Sequence, residues 1–145
     1  MLNYILGLNS IGFNTSASIF KDGKLIAAIE EERLTRKKRT RNFPVNAIKF
    51  CLESANISLD NLDAIAISWN PLINLEKFEN NISSNISYIP SILSSTINYI
   101  LRDIKNYNKD YFVQNIYLKN KKKLKIYFVN HHLSHASMFY LSGYK

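Results

Sequence analysis

His131, His132 and His135 are the only three histidines of the chain, and they lie within five residues. Imidazole binds first-row metal ions and exchanges protons near neutral pH. On a helix, His131 and His135 are four apart and share a face, so they can pinch one ion. His132 stands three before His135 and offers an alternative pair, and a loop could join any two. Helix capping or core hydrogen bonding would use the same residues without a metal. Two nitrogens do not fill a coordination sphere, so a metal site here requires a further ligand, expected to be a carboxylate from elsewhere.

Two other stretches carry chemical potential. In 7-GLNSIGFNTSAS-18, a strand-like run ends in a loop of small residues before a second strand. Gly12, Asn14, Thr15 and Ser16 could present amide and hydroxyl donors to a phosphate or carboxylate. The spacing matches neither a Walker loop nor a dinucleotide fingerprint, and an ordinary hairpin turn explains it as well. In 30-EEERLTRKKRTRNFP-44, three glutamates precede a dense basic run. Its Arg and Lys side chains suit a phosphate, and the glutamates could pair with them. Only one aromatic, Phe43, interrupts the charge over 34–43, so little stacking surface is offered to single-stranded nucleic acid.

The elements that would position these residues follow an α/β pattern. 3-NYILGLNS-10 has the composition of a buried strand. SASIF and KLIAAIE are strand-like runs joined by 21-KDGK-24, an Asp-Gly turn that predicts a hairpin. After Pro44, apolar residues recur at helical spacing, which predicts an amphipathic helix over 45–56 with Pro44 in its first turn. A further strand is expected at 64–69. Residues 72–118 read as an inserted helical region of two or three helices, broken near Pro90. A last strand, 124-LKIYFVN-130, runs into the histidines, followed by a helix over 132–142. The carboxyl ends of strands in α/β sheets are where ligands bind, which places the histidines at a favourable position.

Composition narrows the classes. The chain has 145 residues, 46% hydrophobic and 21% charged, enough for one domain with a core. A single cysteine, Cys51, excludes an internal disulfide framework and fits a reducing cytoplasm. No basic-then-apolar leader opens the chain, and its longest apolar-leaning stretch, 86–101, falls short of roughly 18 apolar residues, so no membrane association is expected. The net charge of +8 comes from two runs, 33-RLTRKKRTR-41 and 119-KNKKKLK-125. Such patches attract phosphates on nucleotides, nucleic acids or membranes, and the lysine run reads as a solvated turn.

Taken in order, 5-ILGLN-9 with 16-SAS-18, then 22-DGKLIAAIEEERLTRKK-38, then 42-NFPVNAIKFCLESANI-57, then 130-NHHLSHASMFYLSGY-144, resemble the amino-terminal part of the carbamoyltransferases of nodulation and antibiotic tailoring. The EEERLTRKK and HHLSHA segments are the most specific. The resemblance covers the chain apart from about 72–118. It implies an α/β fold: one lobe of an actin-like ATPase (ribonuclease H-like) fold, built as βββαβα, with a helical insert. It implies an O-carbamoyltransferase that moves a carbamoyl group from carbamoyl adenylate, made from carbamoyl phosphate and ATP, to the hydroxyl of a small molecule. It also implies a divalent metal, iron by resemblance, beside the adenylate phosphate. His131 and His135 match the metal-binding histidines, and Lys38 matches a phosphate-facing lysine; Asn14 and Ser16 are the further candidate phosphate contacts.

Several positions depart from the family pattern. Phe13 and Asn14 stand where a histidine and an aspartate are usual, and neither can serve as a general base. Arg39 replaces a frequent histidine. Family members are several times longer, so the chain is expected to be a fragment that does not turn over alone. Its expected partners are the small-molecule acceptor and a separate chain carrying the second lobe and the adenylating domain. A single lobe is also expected to expose an apolar face. A non-catalytic scaffold built on the same fold is the alternative, and nucleic-acid binding through the basic runs ranks third.

Overall fold

A computed structural model describes residues 4–10, 13–70 and 111–141. Its described elements are β1 (Tyr4–Asn9), β2 (Ser16–Lys21), β3 (Lys24–Glu30), α1 (Glu31–Thr35), α2 (Val45–Ser54), a 3-10 turn (Leu59–Asn61), β4 (Ala64–Ile67), β5 (Tyr111–Tyr117), β6 (Lys123–Val129) and α3 (His131–Leu141). The strands form one six-stranded sheet in the order β3-β2-β1-β4-β6-β5. β2 is antiparallel to both β1 and β3, whereas β4 is parallel to β1. The mixed α/β class expected from the sequence is therefore present. Two compact units divide the chain, 1–69 with 113–127, and 70–112 with 128–145.

The first three strands form because each element's local chemistry agrees with the sheet. Leu6 and Leu8 of β1 and Ala17 and Ile19 of β2 alternate onto one face, where they are buried. Asp22 and Gly23 both take positive φ, 50° and 78°, as a tight two-residue hairpin demands. A register irregularity between Ile19 and Phe20 kinks the β2–β3 pairing. Helix α2 lays Ala47 and Cys51, four apart, against this face, and Leu62 and Leu124 complete the core.

Elsewhere the apolar surface is less covered. Leu25 and Ile26 on edge strand β3 are 57% and 39% exposed, and Phe43 and Val45 at the start of α2 are 56% and 50% exposed.

Two expectations require correction. The helical reading of 72–118 fails at its end, because 111–117 is strand β5. Tyr111, Phe112, Val113, Ile116 and Tyr117 are β-branched or aromatic residues that favour a pleated surface, and β6 supplies the neighbouring strand. The rest of that expected insert lies outside the described residues. Pro44 is the N-cap of α2 rather than a first-turn residue. Among the described residues, no helix is long and apolar enough to cross a membrane.

Candidate functional site

The histidines occupy the first turns of α3, as their spacing suggests. Asn130 starts this helix: its side-chain oxygen accepts from the His132 backbone N–H at 2.9 Å, and its carbonyl accepts from Ser134 N–H and Oγ–H. The cap fixes the turn that carries the imidazoles. His131 Nε2 and His135 Nε2 are 3.0 Å apart, with the rings nearly perpendicular at 86°. One ring can donate to the other at that distance, and their lone pairs can equally converge on one ion. Nitrogens each about 2.1 Å from an ion and at a right angle about it are about 3.0 Å apart, so the pair fits a divalent metal. His132 is exposed on a different side, its ring centroid 6.0 Å from that of His131. The His131–His135 pairing is therefore the one that the helix brings together. Among the described residues, no group of three or more His, Cys, Asp or Glu is gathered. The further carboxylate ligand expected from the sequence is not supplied by them.

The other candidate residues lie in the first unit, where three sequence segments are tied together. Glu31 is 3% exposed, and its carboxylate accepts from Ala47 N–H at 2.8 Å and from Asn46 N–H at 3.3 Å. It also accepts from the Asn46 side-chain amide at 2.6 Å. The N-cap Pro44 has no side-chain acceptor, so the amides of the first turn of α2 would be orphaned without Glu31. A carboxylate there also meets the positive end of the helix dipole. Of three consecutive glutamates, only Glu31 turns inward. Glu32 accepts from Arg39 N–H at 3.1 Å, and Glu30 pairs with Arg33 on the surface at 3.6 Å.

Thr15 completes the tie. Its carbonyl accepts from Glu31 N–H at 2.8 Å, and its hydroxyl, fully buried, donates to the Asn42 carbonyl at 2.8 Å. The Thr15 hydroxyl is therefore committed to the protein and is not a phosphate donor, contrary to the sequence expectation. Beside it, the Arg41 guanidinium lies 4.2 Å from the centre of the Phe13 ring, a cation–π contact. Phe13 thus stacks against the basic loop.

Asn14 is exposed at φ 58°, with its carbonyl accepting from the Asn9 side-chain amide. Ser16 opens β2 opposite Asn9 and Glu30, half-buried. Lys38 is exposed midway along loop 36–43, the loop gripped by Thr15 and Phe13. Gly12 lies outside the described residues. The sequence reading overlooked Glu31 and Arg41. A proline N-cap is the available signal for Glu31, since such a helix must borrow an acceptor from elsewhere.

In the lysine run, Lys122 is structural: its ammonium donates to the carbonyls of Asp60 at 2.6 Å and Leu62 at 2.7 Å.

With this geometry in place, comparison with known proteins identifies the chain. Residues 4–145 match the family described as the carbamoyltransferase N-terminus, and the chain belongs to that family. The nodulation protein NolNO of Sinorhizobium fredii is 33% identical over 138 residues, 94% of this chain and 19% of that protein. The uncharacterized protein sll1178 of Synechocystis is 35% identical over 96 residues, covering 66% of this chain and 15% of that one. An uncharacterized 19.2 kDa protein of Rhizobium etli is 43% identical over 58 residues, 40% of this chain and 34% of its own. The chain thus spans about a third or less of the curated relatives it matches. Among solved structures, YeaZ from Pseudomonas aeruginosa superimposes with a TM-score of 0.34 and 12% identity, covering 88% of this chain and 67% of that one.

Proposed function

We propose that this chain is the amino-terminal lobe of an O-carbamoyltransferase of actin-like fold, acting on the hydroxyl of a small molecule by way of carbamoyl adenylate. The family match over residues 4–145 carries this reading. The described order of three antiparallel strands, a helix and a strand returning parallel beside β1 supports the fold.

In the proposed reaction, the acceptor oxygen bonds to the carbamoyl carbon and its proton passes to a base. The bond from that carbon to the adenylate oxygen then breaks, and AMP leaves. Lys38 places a cation where negative charge builds on the leaving phosphate. Asn14 and Ser16 supply polar contacts to the same phosphate. His131 and His135, whose Nε2 atoms face each other, would hold the divalent ion, iron by family resemblance. When bound, that ion supplies Lewis-acid stabilisation of phosphate charge. Phe13 has no proton acceptor, so the base comes from another residue.

The chain covers 19% of NolNO, and two histidines supply only part of a metal site. Both facts support a reading in which these 145 residues act as part of a larger enzyme, whose second lobe and adenylating activity lie outside them. The proposed setting is the cytoplasm. A scaffold role for the same fold is the second reading, favoured by the stacking of Phe13 with Arg41 in place of an acid–base pair.

Calorimetric titration with Fe(II), Mn(II) and Zn(II) tests the metal assignment. Wild type and His132→Ala should each bind one ion, and the double variant His131→Ala/His135→Ala should bind none. Undiminished binding in the double variant, or no binding in wild type, would remove the histidines from the proposed site.

A further inference from the structure

Loop 36–43 carries five cations: Arg36, Lys37, Lys38, Arg39 and Arg41. Like charges at this density repel one another and favour an expanded loop. Local bonds restrain it in part, with Arg36 and Arg39 at positive φ and Arg39 N–H on the Glu32 carboxylate. Its carboxyl end and the helix that follows, however, are held by two buried residues. Glu31 fixes the first turn of α2, just beyond the loop, and Thr15 holds the Asn42 carbonyl within it. The two residues are joined to each other by Glu31 N–H donating to the Thr15 carbonyl. A buried carboxylate next to so many cations is thus bonded to amides of α2. Thr15 also lies between Asn14 and Ser16, so the same clasp joins both candidate phosphate-binding segments.

We propose that Thr15 and Glu31 are positioning residues, a buried clasp that holds the basic loop against the turn before β2 and so presents Lys38 to phosphate. This rests on the reading of Lys38 as the phosphate-facing lysine. A loop ordered in advance loses less conformational entropy on binding, so the clasp acts on affinity as well as on stability.

The test uses the 145-residue chain with AMP as probe. Calorimetry gives the AMP Kd, hydrogen exchange follows the amides of 36–43, and thermal midpoints report stability. Thr15→Val keeps the volume and removes the hydroxyl. It should speed exchange across 36–43 and weaken AMP binding about tenfold, the scale of one lost buried hydrogen bond. Thr15→Ser should restore both. Glu31→Gln should behave as Thr15→Val does, and if it fails to fold, Thr15→Val decides.

Ile19→Val, a core change away from the clasp, should lower the midpoint and leave the AMP Kd unchanged. Lys38→Ala should abolish AMP binding in a fully folded chain. Loss of binding in Lys38→Ala with normal binding and exchange in Thr15→Val would overturn the clasp alone. Equal weakening in Ile19→Val would reduce it to a stability effect and overturn it too. No AMP binding in wild type, or undiminished binding in Lys38→Ala, would overturn the phosphate reading and the clasp together.

Discussion

Cys51 lies fully buried on α2, its sulfur 3.9 Å from the Ala27 carbonyl of β3. Burial pushes its thiol above the ordinary value of 9.0, because a thiolate there would lose its water. The native protein should therefore react with iodoacetamide at pH 7.5 at least about a hundredfold more slowly than the urea-unfolded chain. The same shift links stability to pH. The folded state holds the proton more tightly, so this contribution is intact below 9.0 and is lost as pH rises through the folded value. Urea midpoints should fall between pH 8 and pH 10 more steeply in wild type than in Cys51→Ala. At this scale the histidines and Lys38 were legible as chemical groups. The inward turn of Glu31 was not, because three adjacent glutamates look alike until α2 presents its unpaired amides to one of them.

Elements are held by a few identifiable devices. Gly23 sits at φ 78° in the β2–β3 turn with open space where a Cβ would go, so strain in the left-handed region is the main cost of adding one. Gly23→Ala should destabilise the chain by about 1 kcal/mol, read as a drop in thermal midpoint of about 3 °C. Lys122 ties the turn between β5 and β6 to the 3-10 turn before β4 through two carbonyls. Lys122→Met should cost about 1–3 kcal/mol in urea unfolding, whereas Lys121→Met should be near neutral. Asn130→Ala removes the α3 cap and should cost about 1 kcal/mol. Because the cap fixes the histidine turn, this variant should also weaken metal binding in the same titration. The hairpin and α2 were legible because an Asp-Gly turn and a helical apolar period are local signals. Strand β5 was missed because its apolar residues are irregularly spaced and its partner, β6, lies beyond a turn.

At the scale of the molecule, the chain corresponds to the amino-terminal part of the carbamoyltransferase family and to 19% of NolNO. The purified 145 residues should give no detectable carbamoyl transfer from carbamoyl phosphate and ATP to any hydroxyl acceptor. Turnover above a no-protein control would show that these residues suffice.

Family membership and the local grammar can be read along the chain: the EEERLTRKK and HHLSHA segments, the hairpin turn, the helical period of α2 and the strand leading into the histidines. Each is encoded by neighbouring residues, whose preferences act over a turn or a few strand positions. The folded chain was needed to see which histidines pair, which glutamate caps α2, that Thr15 bonds Asn42 rather than a ligand, and that Arg41 covers Phe13. The histidine pairing needs the rotamers that α3 permits. The other three link residues 16 to 28 positions apart. Their partners are set by how the sheet and α2 pack, and packing is a property of the whole chain.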